Sequence, residues 1–136
     1  MKRILAAAVL VSGMALPAHA TEWMDCGDGD DKVTFRVLLG MMPVISINSI
    51  EIEAAGQKWS NTGTAGAIPV MVGQAFETAD QVWIDVTDDN INRVVASLRV
   101  FKGFEDKAAE GMNADAKGGI LHLPGIGVWP VSCSGP

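Results

Sequence analysis

Residues 33–39 are Val-Thr-Phe-Arg-Val-Leu-Leu, and residues 82–87 are Val-Trp-Ile-Asp-Val-Thr. In both segments an apolar side chain recurs at every second position, the period at which a β-strand buries one face and exposes the other. Residues 45–52 continue this pattern but shift by one residue at Asn48-Ser49, which predicts a β-bulge. These segments predict a mainly antiparallel β fold, either a sandwich or a small barrel.

The rest of the chain supplies turns and shorter strands. Residues 61–68 are small, polar and rich in glycine, and therefore predict a loop. Pro69 follows that loop and predicts that residues 69–72 form an edge strand, because proline cannot donate a ladder hydrogen bond. Residues 105–119 are polar and predict a long loop or a poor helix, with strands at 120–123 and 128–133 closing the fold.

One stretch carries a helical pattern. Apolar residues recur there at i, i+3, i+4 and i+7, as on one face of an amphipathic helix; they are Ile91, Val94, Val95 and Leu98. We therefore expect a short helix over 88–96, followed by a strand over 97–104. The same residues can also be read as strand from Val94 onward, since valine favours strands.

The alternating positions of the strands predict the hydrophobic core. Its expected members are Val33, Phe35, Val37, Ile45, Ile47, Val82, Ile84, Val86 and Phe101.

The first 20 residues have the pattern of a secretory signal peptide. Lys2 and Arg3 precede an apolar run, and Ala18-His19-Ala20 matches the small-x-small site at which such peptides are cleaved. The apolar run is too short to span a bilayer, so we expect export without membrane insertion. The mature chain would start at Thr21, form one domain over 21–136, and reside in the periplasm or outside the cell.

The chain contains two cysteines, Cys26 and Cys133, near the two ends of that mature chain. In an oxidising compartment they are expected to form a disulfide. A metal site is the rival interpretation, but it lacks further ligands, because His122 is the single histidine left after cleavage. We therefore expect no metal and no cofactor.

The charge of the mature chain is acidic. Eight Lys and Arg stand against sixteen Asp and Glu, giving a net charge of −8. This balance argues against nucleic acid and anionic membrane surfaces, which need clustered basic residues. It permits a basic protein as partner, although acidity is also an ordinary way to remain soluble.

Motifs for catalysis are missing from the sequence. His122 is the only mature base for nucleophilic chemistry, and no serine has the strand–Gly-x-Ser-x-Gly–helix context. The acidic clusters at 28–31 and 85–92 lack the spacing of a calcium-binding loop and are better interpreted as solvated turns. We expect the protein not to be an enzyme.

The candidate binding residues lie on the segment 81–87 and on the glycine-rich loop. Trp83 and Asp85 share a face opposite Val82, Ile84 and Val86, so an exposed indole would stand beside a carboxylate. Such a pair could contact a protein or a carbohydrate. Gly63 and Gly66 could let the 61–68 loop close over the bound molecule. If a second layer covers this face, Trp83 is a core residue instead.

Two functions remain open from the sequence. The first is an exported, non-enzymatic binding or interaction protein, such as an inhibitor-like binder of a basic protein. The second is a small hydrolase or carbohydrate-active enzyme that uses two carboxylates converging in a cleft.

Mass spectrometry can test the processing and the disulfide. Protein purified from the periplasm should start at Thr21 and carry a Cys26–Cys133 bridge, so alkylation of the unreduced protein should label no thiol. Two labelled thiols in native protein would contradict the bridge.

Overall fold

The computed structural model describes residues 21–40 and 44–136, which form nine strands. The predicted signal segment 1–20 lies outside the described residues. The strands are β1 (Thr21–Gly27), β2 (Val33–Gly40), β3 (Ser46–Ala54), β4 (Gln57–Ser60), β5 (Ile68–Glu77), β6 (Gln81–Asp88), β7 (Val94–Phe104), β8 (Asp115–Leu123) and β9 (Gly127–Ser134).

The strands form a closed barrel in chain order, the barrel form of the predicted β fold. Each strand pairs antiparallel with the next, except that β4 and β5 are parallel. The first and last strands close the barrel through three antiparallel pairs, which centre on Cys26 and Cys133.

A disulfide joins these two cysteines, as the sequence predicted. It links directly opposite residues of the closing strands and encloses a loop of 107 residues. The chain-entropy model gives about 4–5 kcal/mol of stabilisation for a loop of this length. The bridge is compatible with an oxidising compartment.

The barrel interior contains the apolar half of each strand. Six predicted core residues are essentially inaccessible, namely Val33, Phe35, Val37, Val82, Ile84 and Val86. Ile45 and Ile47 are half-buried and pack against this core. The prediction for Phe101 is wrong: its side chain is 59% exposed, because it shares the outward face of β7 with Arg99 while Val100 points inward.

The predicted β-bulge is present where the hydrophobic phase shifts. Leu38 pairs with Ser49, but the next residue, Leu39, pairs with Ile47. Asn48 is therefore the extra residue of β3. The shift keeps Ile50 and Ile52 inside the barrel, where both are buried.

The predicted helix over 88–96 is wrong, and residues 21–40 and 44–136 contain no helix at all. Asp88 instead starts a tight turn: its N–H donates to the Arg93 carbonyl at 3.1 Å, and its carboxylate accepts from Asn92 N–H at 2.7 Å. Ile91 adopts a φ of 57° in this turn. The apolar residues had helical spacing for two reasons: Ile91 belongs to the turn, and the bulge at Val95 shifts the alternation of β7 by one residue.

Two other predicted boundaries differ from those in the structure. The glycine-rich loop ends at residue 67, since Ile68 already belongs to β5. The polar segment 105–119 is a loop only to residue 114, because β8 begins at Asp115 and pairs with the end of β7. The part of the chain that the structure describes has no helix long and apolar enough to cross a membrane.

Strand β5 is the least supported strand of the barrel. It pairs with β4 through only Ile68 and Pro69, whereas its pairing with β6 extends from Val70 to Glu77. Although the barrel is closed, most of β5 therefore has a paired strand on one side only. The sequence predicted an edge strand at Pro69. In the structure Pro69 is the last residue of the parallel contact with β4, and the residues after it pair with β6 alone.

Paired alanine substitutions test the inside and outside of the barrel. Phe35→Ala should lower the free energy of unfolding by about 3–5 kcal/mol, because it leaves a cavity in the core. Phe101→Ala should change it by less than about 0.5 kcal/mol, because that ring faces solvent. Urea denaturation of both variants measures the difference, and equal losses would contradict the assigned orientation of β7.

Candidate functional site

Strand β6 carries Trp83 and Asp85 on the outside of the barrel. Their neighbours Val82, Ile84 and Val86 are fully buried, whereas the Trp83 side chain is 40% exposed. No second layer packs on this face within the described residues, because the nine strands form one closed sheet. The alternation of the strand therefore leaves Trp83 at the surface.

Two neighbouring side chains hold the Trp83 indole in place. The Arg99 guanidinium on β7 lies over the ring, 5.0 Å from its centroid. The Phe76 ring on β5 meets it edge-on, with centroids 6.1 Å apart and planes at 67°. Both residues are register partners of Trp83 on the adjacent strands. The indole is thus a fixed group with one ring face occupied by a cation.

Arg99 is itself fixed by Asp85. Its Nη2 donates to Asp85 Oδ1 at 2.7 Å, and its Nη1 donates to the carbonyls of Leu98 and Ile84 at 2.9 and 3.2 Å. The two side chains are 33% and 20% exposed, so the ion pair is partly shielded from solvent. The Asp85 carboxylate is therefore neutralised by Arg99, and it orients Trp83 through that residue.

Further apolar side chains extend this surface across β5–β8. We call Phe76, Trp83, Phe101 and Ile120 the Trp83 face; all four are between 40% and 59% exposed. Phe76, Trp83, Arg99 and Ile120 follow one register line. Three strand spacings separate the ends of that line by about 14 Å.

The Trp83 face is similar in size to the largest apolar patch of an ordinary monomer. At these exposed fractions the three aromatic rings present roughly 300 Å² of surface, given the area such side chains normally bury. The largest apolar patch of an ordinary monomer is about 300–600 Å² and is often functional.

The glycine-rich loop lies elsewhere. Gly63 and Gly66 have φ values of 73° and 77°, a left-handed conformation that glycine adopts without strain. The loop joins β5 at Ile68, eight residues before Phe76, which corresponds to about 26 Å along a strand. Trp83 and Asp85 are thus brought together, while the two glycines lie towards the other end of β5.

The first hairpin repeats the arrangement around Trp83. Arg36 lies over the Trp23 ring at 4.6 Å and bonds to Asp25, in a second Trp-x-Asp segment. This hydrogen bond raises the pKa of Arg36 above its ordinary value. Arg36 also reaches Glu51 at 3.1 Å. The repeated Trp-x-Asp spacing was a usable sequence signal, but the partner arginines come from other strands and the sequence did not reveal them.

His122 lies on the outer surface in line with Ser97 and Asp85. The register places Asp85 opposite Ser97, and Ser97 opposite His122. The serine lies between the acid and the base, whereas a nucleophilic triad needs the histidine in the middle. The Asp85 carboxylate is also bound to Arg99. The row does not have the arrangement of a triad.

A cavity of about 560 Å³ opens at the end of the barrel near the 88–93 turn. Two adjacent carboxylates, Asp88 and Asp89, line it together with Arg93, which lies 3.8 Å from Asp88. The facing wall contributes an amide and apolar groups, including Gln57 and Ile126. Both acids thus come from one rim, whereas glycoside hydrolysis needs carboxylates that flank the bond.

The acidic turns are organised by their own backbone. Asp28 Oδ1 accepts the N–H groups of Lys32 and Val33 at 2.8 and 3.2 Å, which fixes the turn between β1 and β2. In the described ranges 21–40 and 44–136, no three His, Cys, Asp or Glu side chains converge to hold a metal ion.

No protein-family model, curated protein or solved structure matches this chain.

A double-mutant cycle can measure how strongly Asp85 holds Arg99. Asp85→Ala, Arg99→Ala and the double variant should give a coupling of about 1 kcal/mol in urea denaturation, near the upper end for surface pairs, because the pair is half-shielded. The exposed Lys58–Glu53 pair is the matched control and should couple by only a few tenths of a kcal/mol. Equal coupling in both cycles would show that the Asp85 pair is an ordinary surface contact.

Proposed function

We propose that the protein is an exported, non-enzymatic binding protein that holds a partner protein against the Trp83 face. The observation that carries this proposal is the contiguous exposed aromatic surface on an ordered sheet. Trp83 is fixed by Arg99 and Phe76, so it loses little conformational freedom on binding. Ordered aromatic anchors of this kind are typical binding hot spots.

The charges around this face favour a basic partner. On the face itself Asp85 is paired with Arg99, and Glu77 at its margin is paired with Lys102. Acidic residues without an ion pair among the described side chains lie at one end of it, in the turn at Asp80 and in the loop at Glu105 and Asp106. An apolar surface with acidic residues at one end suits a partner that carries lysines and arginines beside an apolar contact. The net charge of −8 that the chain would carry after removal of residues 1–20 would also speed the encounter.

The geometry favours a protein over a carbohydrate as the occupant. Arg99 occupies one face of the indole and Phe76 packs against the ring, which reduces the ring surface that a sugar could stack on. The neighbouring surface of Phe101 and Ile120 is apolar and offers a sugar few hydrogen-bond partners.

The proposed location is the periplasm or the exterior of the cell. The signal-like segment 1–20 and the Cys26–Cys133 bridge support it, since disulfides persist in oxidising compartments.

A capture experiment with matched variants tests this function. Mature, oxidised protein serves as bait for envelope extract, and the captured protein is identified, purified and titrated. Trp83→Ala and Phe101→Ser should each weaken its affinity at least about tenfold, because they remove anchors from the centre of the contact. Higher salt should slow association with a basic partner.

Trp23→Ala is the control, since Trp23 stacks on Arg36 in the same way but lies on another hairpin; it should bind like the wild type. A partner that binds all three variants equally would contradict the Trp83 face as the site.

A further inference from the structure

The barrel wall contains a slot, by which we mean the stretch below β4 where β3 and β5 lie next to each other, in close approach at some positions, without pairing as strands. Strand β4 ends at Ser60, opposite Glu51 of β3 and Pro69 of β5. Below that level, β3 continues over 46–50 and β5 over 70–77 without a strand between them. Asn61 covers the top of the gap, since its side-chain oxygen accepts the Ile50 N–H at 2.6 Å.

The slot side of β5 is free within the described part of the chain. From Met71 to Glu77 the backbone of β5 pairs with β6 alone. Most side chains in this stretch are exposed, including Met71 at 43% and Phe76 at 45%. A ten-residue strand thus presents a row of N–H and C=O groups beside apolar side chains, which is the usual template for pairing with another strand.

A cavity lies at the lower end of the slot. It measures about 540 Å³ and lies between Val44 and Ile45 on one side and Ala75 and Phe76 on the other. Lys102 also lines it and donates to Glu77 at 2.7 Å. The cavity gives room for an apolar side chain of a strand that enters the slot.

We propose that the slot binds an extended segment of the partner protein, which adds to the free side of β5 as an extra strand. This inference rests on the proposed function and specifies how the partner is held. A row of alternating backbone donors and acceptors is complementary to a polypeptide in extended form, and specificity would come from the cavity. The added strand would lie beside Phe76, so the backbone contact is continuous with the Trp83 face.

A second copy of this chain is the less favoured occupant. Two copies would each bring a net charge of −8 to an edge-to-edge contact, and like charges on both sides oppose association. A basic partner segment would instead be attracted by the negative charge of this chain.

Amide hydrogen exchange of the mature protein tests the free edge directly. Alternate residues of a strand direct their N–H groups to opposite sides, so alternate amides within 74–77, beyond the β-bulge at Gly73, should exchange rapidly while those bonded to β6 stay protected. Uniform protection of 74–77 at low protein concentration would overturn the proposal. Protection that rises with protein concentration, together with dimers in sedimentation, would overturn it in favour of a second copy.

Peptides selected from a random twelve-residue phage-display library serve as the binding probe. Synthetic versions should protect the rapidly exchanging amides of β5. Gln74→Pro and Ala75→Pro each remove one backbone N–H of β5. One of these N–H groups bonds to β6 and the other points into the slot. The variant that loses the slot-side N–H should be the more stable of the two in urea denaturation, which identifies it. That variant should bind the peptides at least about tenfold more weakly, while Trp23→Ala should leave their affinity unchanged.

The outcomes separate this inference from the proposed function. If no peptide binds above background, or the bound peptides protect other strands, strand addition is wrong. If the captured partner loses affinity in Trp83→Ala but not in the slot-side proline variant, the proposed function stands and strand addition is wrong. If both variants weaken the partner, both proposals are supported.

Discussion

Three residue pairs between β1 and β9 close the barrel, and every other feature depends on this seam. Without it the sheet would have two further open edges, and the apolar interior would face water. The seam is short, but the Cys26–Cys133 bridge lies at its centre and ties the pairing covalently. Gly135 contributes beside it: with a φ of 100° the chain passes so close to the Trp23 carbonyl that a side chain there would collide with it.

On the outer surface, two arginines each hold a tryptophan ring in place. Arg36 and Arg99 each cover an indole and each bind an aspartate two residues after that tryptophan. Such an arrangement keeps a large apolar ring ordered at the surface. Around Trp83 the neighbouring outward positions are also apolar, whereas around Trp23 the ion pairs of Arg36 reach Glu51. The two hairpins therefore have similar geometry and different surfaces, and of the two only the Trp83 hairpin carries an extended apolar surface.

The sequence was sufficient where the structure depends on a local period. Alternation predicted the fold class and the core positions of β2 and β6, and the phase shift located the bulge at Asn48. The helix at 88–96 failed because a turn followed by a bulged strand can imitate a 3.6-residue period over one short window. Phe101 was misplaced although the same alternation puts it outside, since Leu98 and Val100 point into the barrel and Phe101 is the next residue. The partners of Trp83 were hidden, since Phe76 and Arg99 meet it only through pairing between strands.

The position of the disulfide also determines how the molecule responds to mechanical load. Only residues 21–25 and 134–136 of the described chain lie outside the covalent loop that Cys26 and Cys133 close. A force applied to the two ends can peel residues 21–25 of β1 away from β2, after which the sulfur–sulfur bond carries the load. The barrel between Cys26 and Cys133 is thus isolated from tension along its own chain. A protein attached by either terminus could be stretched without loss of the surface formed by β5–β8.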